Sequence, residues 1–157
     1  MTAALPSLDL FWPDEAATLT ASARLAQSPA LAGALVLLQG DLGAGKTTLV
    51  RGLLRALGVQ GRIKSPSYAV LESYALPQMD VHHFDFYRFG DPREWEDAGF
   101  RELLTGPGLK LVEWPDKAPG LVQAADVQLT LTPHDDGRQV HAQALSAQGA
   151  RLLEAWA

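Results

Sequence analysis

Ala34-Leu35-Val36-Leu37-Leu38 is followed by Gln39 and then by Gly40-Asp41-Leu42-Gly43-Ala44-Gly45-Lys46-Thr47. The first five residues are an unbroken apolar run, the pattern of a strand covered on both faces in a parallel sheet. The eight from Gly40 fit G-x-x-x-x-G-K-[ST]. From Thr47 to Leu57 the apolar residues Leu49, Val50, Leu53, Leu54 and Leu57 recur at helical spacing, and Gly58 stands where a C-cap is expected. Buried strand, glycine-rich loop and amphipathic helix, in that order, are the setting that gives the motif its meaning. They predict a phosphate-binding loop rather than a turn with an incidental lysine.

The residue types suit that chemistry. Glycines let successive backbone N–H groups converge on phosphate oxygens where side chains would obstruct them, and the helix N-terminus adds its positive end. Lys46 is placed to reach the β and γ phosphates, Thr47 to offer its hydroxyl to Mg²⁺, and Thr48 to touch the α-phosphate. A guanine clamp of the Asn-Lys-x-Asp kind needs Asn, and the chain contains none, so ATP is the favoured nucleotide.

On the N-terminal side, Leu8, Leu10 and Trp12 alternate as in a short strand, and Pro13-Asp14-Glu15 opens a helix through about Ala26. On the C-terminal side, residues 62–76 read as extended segments around Ser65-Pro66-Ser67, and Met79 to Phe86 as a strand. Asp91-Pro92-Arg93-Glu94 carries the signals of a helix start, with Gly106 as its end. Leu109-Lys110-Leu111-Val112 reads as a strand closing at Glu113-Trp114-Pro115. Val127 to Thr132 and Gln139 to Leu145, joined through Asp-Asp-Gly-Arg, signal a hairpin before a short last helix.

The 157 residues suit one domain, residues 1–157. Hydrophobic residues at 47% and charged residues at 20% exclude a disordered or collagen-like chain. The absence of cysteine excludes disulfides, thiolate zinc sites, iron–sulfur clusters and cysteine nucleophiles. Eighteen acidic against thirteen basic residues, a net charge of −5, argue against a protein that coats nucleic acid. No signal-peptide pattern and no membrane-length apolar run is present, which predicts a cytoplasmic protein with no membrane partner.

Two strand-end acids could serve the phosphate loop: Asp85, in His82-His83-Phe84-Asp85-Phe86-Tyr87-Arg88, and Glu113. Spacing does not divide the roles between them, and either could instead be a structural acid paired with a base. His82 and His83 are adjacent on a strand and face opposite ways, so they read as core or edge histidines rather than as chelators of one ion. Trp12, Trp95, Trp114 and Trp156 read as buried aromatics, with Trp114 singled out by its place beside Glu113. Ser65-Pro66-Ser67-Tyr68 offers hydroxyls that could sense a γ-phosphate, or it is a plain turn.

Gly40 to Thr48, Lys64-Ser65-Pro66-Ser67-Tyr68, His83-Phe84-Asp85-Phe86-Tyr87-Arg88 and Glu113-Trp114-Pro115 together resemble the TsaE family of bacterial P-loop ATPases, in order and spacing over nearly the whole chain. The resemblance implies a three-layer, P-loop NTPase-like α/β sandwich. Its mixed sheet would be parallel near the phosphate loop and antiparallel at the C-terminal hairpin. It implies a Mg²⁺-dependent ATPase needed to form N6-threonylcarbamoyladenosine beside the anticodon of tRNAs that read codons beginning with A. Such an ATPase works with the TsaB–TsaD pair, meets tRNA only through that pair and does not itself modify the base. By the same resemblance Gly43, Ala44, Gly45, Lys46, Thr47 and Thr48 hold the phosphates, and Thr47 and Glu113 ligate Mg²⁺. Lys46, Asp85 and Glu113 form the catalytic set, Asp85 being needed for hydrolysis. Glu15 and Arg138 match positions close to the nucleotide. Ser67 stands where Thr is usual in the family, and Phe86 where Leu is common.

A small-molecule kinase would suit the same size and loop, with Asp85 activating a substrate hydroxyl. Such kinases close an Arg-bearing lid, however, and after Glu113 the chain has only Arg138 and Arg151. A switch whose hydrolysis times partner release is compatible with the family resemblance.

Overall fold

The computed structural model describes residues 4–41, 43–63, 66, 70–88, 90 and 99–157. In chain order these form β1 (Ser7–Trp12), α1 (Glu15–Ala26), β2 (Leu35–Gln39), α2 (Lys46–Ala56), β3 (Leu71–Ala75) and β4 (Asp80–Asp85). There follow α3 (Arg101–Thr105), β5 (Leu109–Glu113), 3₁₀ turns at Pro115–Lys117 and Pro119–Gln123, β6 (Val127–His134), β7 (Gly137–Ala144) and α4 (Ala147–Leu153). The expected helix start at Asp91-Pro92-Arg93-Glu94, together with Trp95, Lys64, Ser65, Ser67 and Tyr68, lies outside the described residues.

The seven strands form one sheet in the order β1-β7-β6-β2-β5-β4-β3. Its centre is parallel: β2 pairs in parallel with β5 and with β6, and β5 pairs in parallel with β4. Every residue of β2 from Leu35 to Leu38 is buried, as the unbroken apolar run predicts. Val36 and Leu38 face one core with Leu49, Leu53 and Leu54 of α2 and with Leu25 of α1. Leu35 and Leu37 face a second core with Phe84, Phe86, Leu104 of α3 and Leu121. Helices on both faces of a mixed sheet make this the expected three-layer α/β architecture.

The hairpin of β6 and β7 closes around Asp135, which has φ 53, and Asp136. Along β6 the residues Val127, Leu129 and Leu131 are buried while Gln128 and Thr130 are half-buried, the alternation of an antiparallel region with one wetter face. Antiparallel pairing is wider than the hairpin alone. β1 pairs antiparallel with β7, and β3 with β4 at the other margin. The second case follows from a connection too short for a crossover, since Leu76 N–H bonds to the Met79 carbonyl at 3.1 Å and tight turns join only antiparallel strands.

Helix ends follow local chemistry. Asp14 caps α1 by accepting from the Ala17 N–H at 2.8 Å. α2 begins at Lys46, one residue before the sequence expectation, because Gly45 is its last non-helical residue. It ends with the paired bonds Gly58 N–H to Arg55 and Val59 N–H to Leu54, a Schellman arrangement. Trp12 and Trp156 are buried edge to face, their centroids 5.3 Å apart, and Trp156 Nε1–H donates to the Ala21 carbonyl at 2.9 Å. Among the described residues no helix is long and apolar enough to cross a membrane.

Gly149 gives the fold a sharp test. It lies inside α4, where alanine has the higher helix propensity by about 1 kcal/mol, yet a Cβ there would overlap the Asp126 carbonyl. Asp126 is itself committed, accepting from Leu35 N–H and Ser146 Oγ through its two carboxylate oxygens. Gly149→Ala is therefore expected to lower stability by about 1–3 kcal/mol, the usual cost of overpacking, as read by urea unfolding. A stability gain would mean that α4 is free to move off the sheet.

Candidate active site

The phosphate loop leaves β2 at the C-terminal edge of the parallel strands, where ligands of open α/β sheets bind. Two glycines combine a positive φ with a close neighbour, backbone at the first and an arginine side chain at the second. Gly40, φ 157, lies where a Cβ would come within 2.6 Å of the Leu131 carbonyl, and Gly45, φ 103, where one would come within 2.8 Å of Arg138 Nε. Lys46 is almost fully buried. Its ammonium donates to the Gly40 carbonyl at 2.5 Å and sits 3.9 Å above the Trp114 ring. Burial lowers the Lys46 pKa against the opposing fields of Glu113 and Asp85.

Those two carboxylates come from neighbouring strands. The register of β4 and β5 sets Asp85 opposite Glu113, and both are buried. Asp85 Oδ1 accepts from the Tyr87 N–H at 3.0 Å. Burial raises the Asp85 pKa, an effect that this hydrogen bond only partly opposes. Glu113 Oε2 is 2.7 Å from His83 Nε2, a contact out of water on both sides.

A cavity of about 220 Å³ is lined by Gly43, Gly45, Lys46, Thr47, Thr48, Asp85, Tyr87, Glu113, Trp114 and Arg138. A smaller one of about 80 Å³ shares Gly45, Thr48 and Arg138 with it and adds Glu15, Trp12 and Asp136. The geometry thus brings Gly43, Gly45, Lys46, Thr47, Thr48, Asp85, Glu113 and Arg138 to one space and Glu15 to its neighbour. Ala44 is buried and lines neither, and its N–H bonds to the Asp41 carbonyl at 3.0 Å.

The donors fit a phosphate ligand with its cation. Thr47 and Glu113 supply hard oxygens of the kind Mg²⁺ takes, one or two from protein with the rest from phosphate and water. Arg138 Nε is buried without a hydrogen-bond partner among the described residues, and it abuts Gly45, where a Cβ would come within 2.8 Å of it.

Three participants were not assigned from the sequence. Trp114 was singled out only by adjacency, and its contact with Lys46 could not be foreseen. Tyr87, half exposed, packs on Trp114 with ring centroids 4.9 Å apart. His83, read as a core or edge histidine, is buried but engaged with Glu113. The available signal was strand periodicity, which puts His83 and Asp85 on one face. His82 faces away and contacts Ser73 Oγ at 2.8 Å.

The family model described as threonylcarbamoyl adenosine biosynthesis protein TsaE matches residues 12–140. A tRNA threonylcarbamoyladenosine biosynthesis protein TsaE from Haemophilus influenzae is 39% identical over 122 residues, covering 78% of this chain and 77% of that protein. Its counterpart from Bacillus subtilis is 33% identical over 135 residues, covering 85% and 84%. Among solved structures, the crystal structure of Bacillus subtilis YdiB superimposes with a TM-score of 0.78 at 26% identity, covering 98% of this chain and 95% of that one.

The buried Asp85 carboxylate yields a pH prediction. Because its pKa is raised in the folded protein, the folded state binds the proton more tightly than the unfolded chain. Asp85 therefore subtracts stability as pH rises above the ordinary Asp value of about 3.9. Asp85→Asn removes that penalty while keeping an oxygen for the Tyr87 N–H. Its melting temperature is expected to exceed the parent's at pH 7.5 and to converge with it toward pH 4. A variant less stable at pH 7.5 would show that the carboxylate is held by partners stronger than its desolvation.

Proposed function

This chain belongs to the TsaE family, and from that premise we propose that it is a Mg²⁺-dependent ATPase of the cytoplasm. In this reading it serves formation of N6-threonylcarbamoyladenosine in tRNAs that read codons beginning with A. The observation that carries the reading is the convergence of Lys46, Thr47, Thr48, Asp85, Glu113 and Arg138 on one cavity at the edge of the parallel strands. The printed names of the relatives support the tRNA-modification role.

In this reading the loop N–H groups and Lys46 hold the β and γ phosphates, and Thr48 and Arg138 flank the α-phosphate side, with Glu15 beyond them. Thr47 and Glu113 hold Mg²⁺, which when bound supplies neutralisation of the charge on the phosphate oxygens. Asp85 accepts a hydrogen bond from the attacking water. That water's oxygen bonds to the γ-phosphorus as the bond to the ADP oxygen breaks, giving ADP and phosphate. A raised carboxyl pKa suits a group that takes up a proton in such a step.

Steady-state ADP release tests the assignment. Lys46→Ala is expected to abolish turnover and sharply weaken ATP binding while leaving the circular-dichroism spectrum native. Glu113→Gln and Asp85→Asn are expected to keep nucleotide affinity and lose most turnover, at least tenfold, with Glu113→Gln showing the larger change in Mg²⁺ dependence. Full activity in either removes that residue from the site.

The partner we propose is the TsaB–TsaD pair, with tRNA reached through it. The acidic balance supports this route, since a chain of net charge −5 lacks the excess of Lys and Arg that drives phosphate-backbone binding. Co-elution with the pair is expected to be stable with ATP and weaker without nucleotide, and the isolated chain is expected to bind no tRNA at physiological salt. Tight, nucleotide-independent tRNA binding by the isolated chain would overturn this partner assignment.

A further inference from the structure

The His83–Glu113 contact is buried at both ends, with side-chain exposures of 4% and 6%. An ionised carboxylate only accepts hydrogen bonds, so the ring must place a proton on Nε2 to make a 2.7 Å contact with Oε2. His83 Nδ1 is also buried and has no hydrogen-bond partner among the described residues. The ring is therefore not held by bonds on both sides, as a histidine serving mainly to knit strands would be. Its one described polar contact is the carboxylate.

The sheet explains the pairing. His83 lies two residues before Asp85 on the same face of β4, and Glu113 ends β5 directly opposite Asp85. His83 thus reaches Glu113 on a diagonal across the two strands, from the core side, while Glu113 lines the cavity with Lys46 and Thr47. The imidazole engages Oε2, which leaves Oε1 as the carboxylate oxygen for a ligand in that cavity.

We propose that His83 is a positioning residue: its Nε2–H fixes the Glu113 carboxylate so that one oxygen is presented to the cation beside Thr47. This rests on the reading of Glu113 as a Mg²⁺ ligand. A partner of this kind orients its ligand, and losing one typically costs 10–100-fold in metal affinity or activity. A neutral donor is enough for the task, so an amide at the position of Nε2 should substitute for the ring.

The experiment measures ADP affinity by calorimetry across a Mg²⁺ series, beside the Mg²⁺ dependence of ATP turnover, for His83→Phe, His83→Gln, His83→Asn and Glu113→Gln. His83→Phe keeps the ring volume and removes the donor. It is expected to raise the half-saturating Mg²⁺ concentration about tenfold in both measurements, with ADP affinity in EDTA within twofold of the parent. Gln, whose amide nitrogen can occupy the place of Nε2, is expected to restore the parent's Mg²⁺ dependence to within about threefold, and Asn, too short, to behave like Phe. Combining His83→Phe with Glu113→Gln is expected to add nothing beyond Glu113→Gln alone, as for two residues acting as one unit.

A Mg²⁺ shift in Glu113→Gln but none in His83→Phe overturns this inference and spares the cation reading of Glu113. No shift in Glu113→Gln overturns that reading and the inference with it. If the Phe variant fails to fold, the Gln and Asn variants decide alone: equal Mg²⁺ dependence in the two overturns the proposal, and rescue by Gln but not Asn upholds it.

Discussion

β2 is hydrogen-bonded in parallel on both sides, to β5 and to β6, and much of the architecture follows from that placement. A strand flanked in this way has both faces inside the sheet's layers, so the residues of Leu35 to Leu38 must all be apolar and helices must cover both sides. Parallel neighbours also end at the same edge. The loop after β2, the carboxylate ending β5 and the carboxylate ending β4 are therefore delivered to one place by strand geometry rather than by loop conformation. Leu38 sits opposite Glu113 and Asp85 opposite Glu113 on the other side, so three adjacent strands set the spacing of the site. Such placement on rigid strands gives finer positioning than loops can.

The same geometry imposes an electrostatic cost. Lys46, Asp85 and Glu113 are nearly out of water, where ionised groups lose several kcal/mol of hydration apiece. Opposite charges close by recover part of that loss, and the remainder is visible in the two displaced pKa values, Lys46 downward and Asp85 upward, with burial the leading cause for each. Displacement in this sense marks groups whose charged forms are not fully compensated within the protein. A polyanion with its cation is the kind of ligand that supplies what is missing, positive charge for the acids and negative charge for the lysine.

The strand, loop and helix from Ala34 to Leu57 were legible because their signals are local: an apolar run, a spaced set of glycines with a lysine, and a helical period. Helix boundaries were off by one residue at Lys46 because the backbone at Gly45, not hydrophobic spacing, decides where α2 begins. What the sequence could not show was adjacency between distant segments. Nothing local says that β4 lies beside β5, so the pairing of His83 with Glu113 is not legible in the sequence. Arg138 carries no local signal of its own and stands out only by the family resemblance. Its physical basis is the start of β7, where Gly137 packs against the Trp12 carbonyl so closely that a Cβ would overlap it, bringing the next residue against Gly45. The antiparallel margin formed by β3 was likewise hidden, since a run of extended residues carries no mark of its partner's direction.

Trp114 shows how the strand end and the lysine are coupled. It precedes Pro115, which disfavours the right-handed helical region, and it adopts φ 59, ψ 52, a left-handed conformation costing a side-chain-bearing residue about 1–2 kcal/mol. Its N–H still bonds to the Leu38 carbonyl at 3.3 Å while the Glu113 carbonyl accepts from Phe86 N–H at 3.1 Å, so the backbone on either side of the Glu113 side chain is pinned to β2 and to the end of β4. The turn folds the indole back over Lys46, and a cation–π contact of about 0.5–2 kcal/mol is of the size needed to offset the strain. Glu113 is thus held by backbone on both strands and by His83 at its carboxylate. Lys46, by contrast, is held by a neutral carbonyl and a ring face. The ammonium's bond to that carbonyl is charge-assisted from one side only, whereas a phosphate oxygen would bring a full opposite charge, so the lysine is the member of the site suited to exchange partners, and Glu113 the member built to stay.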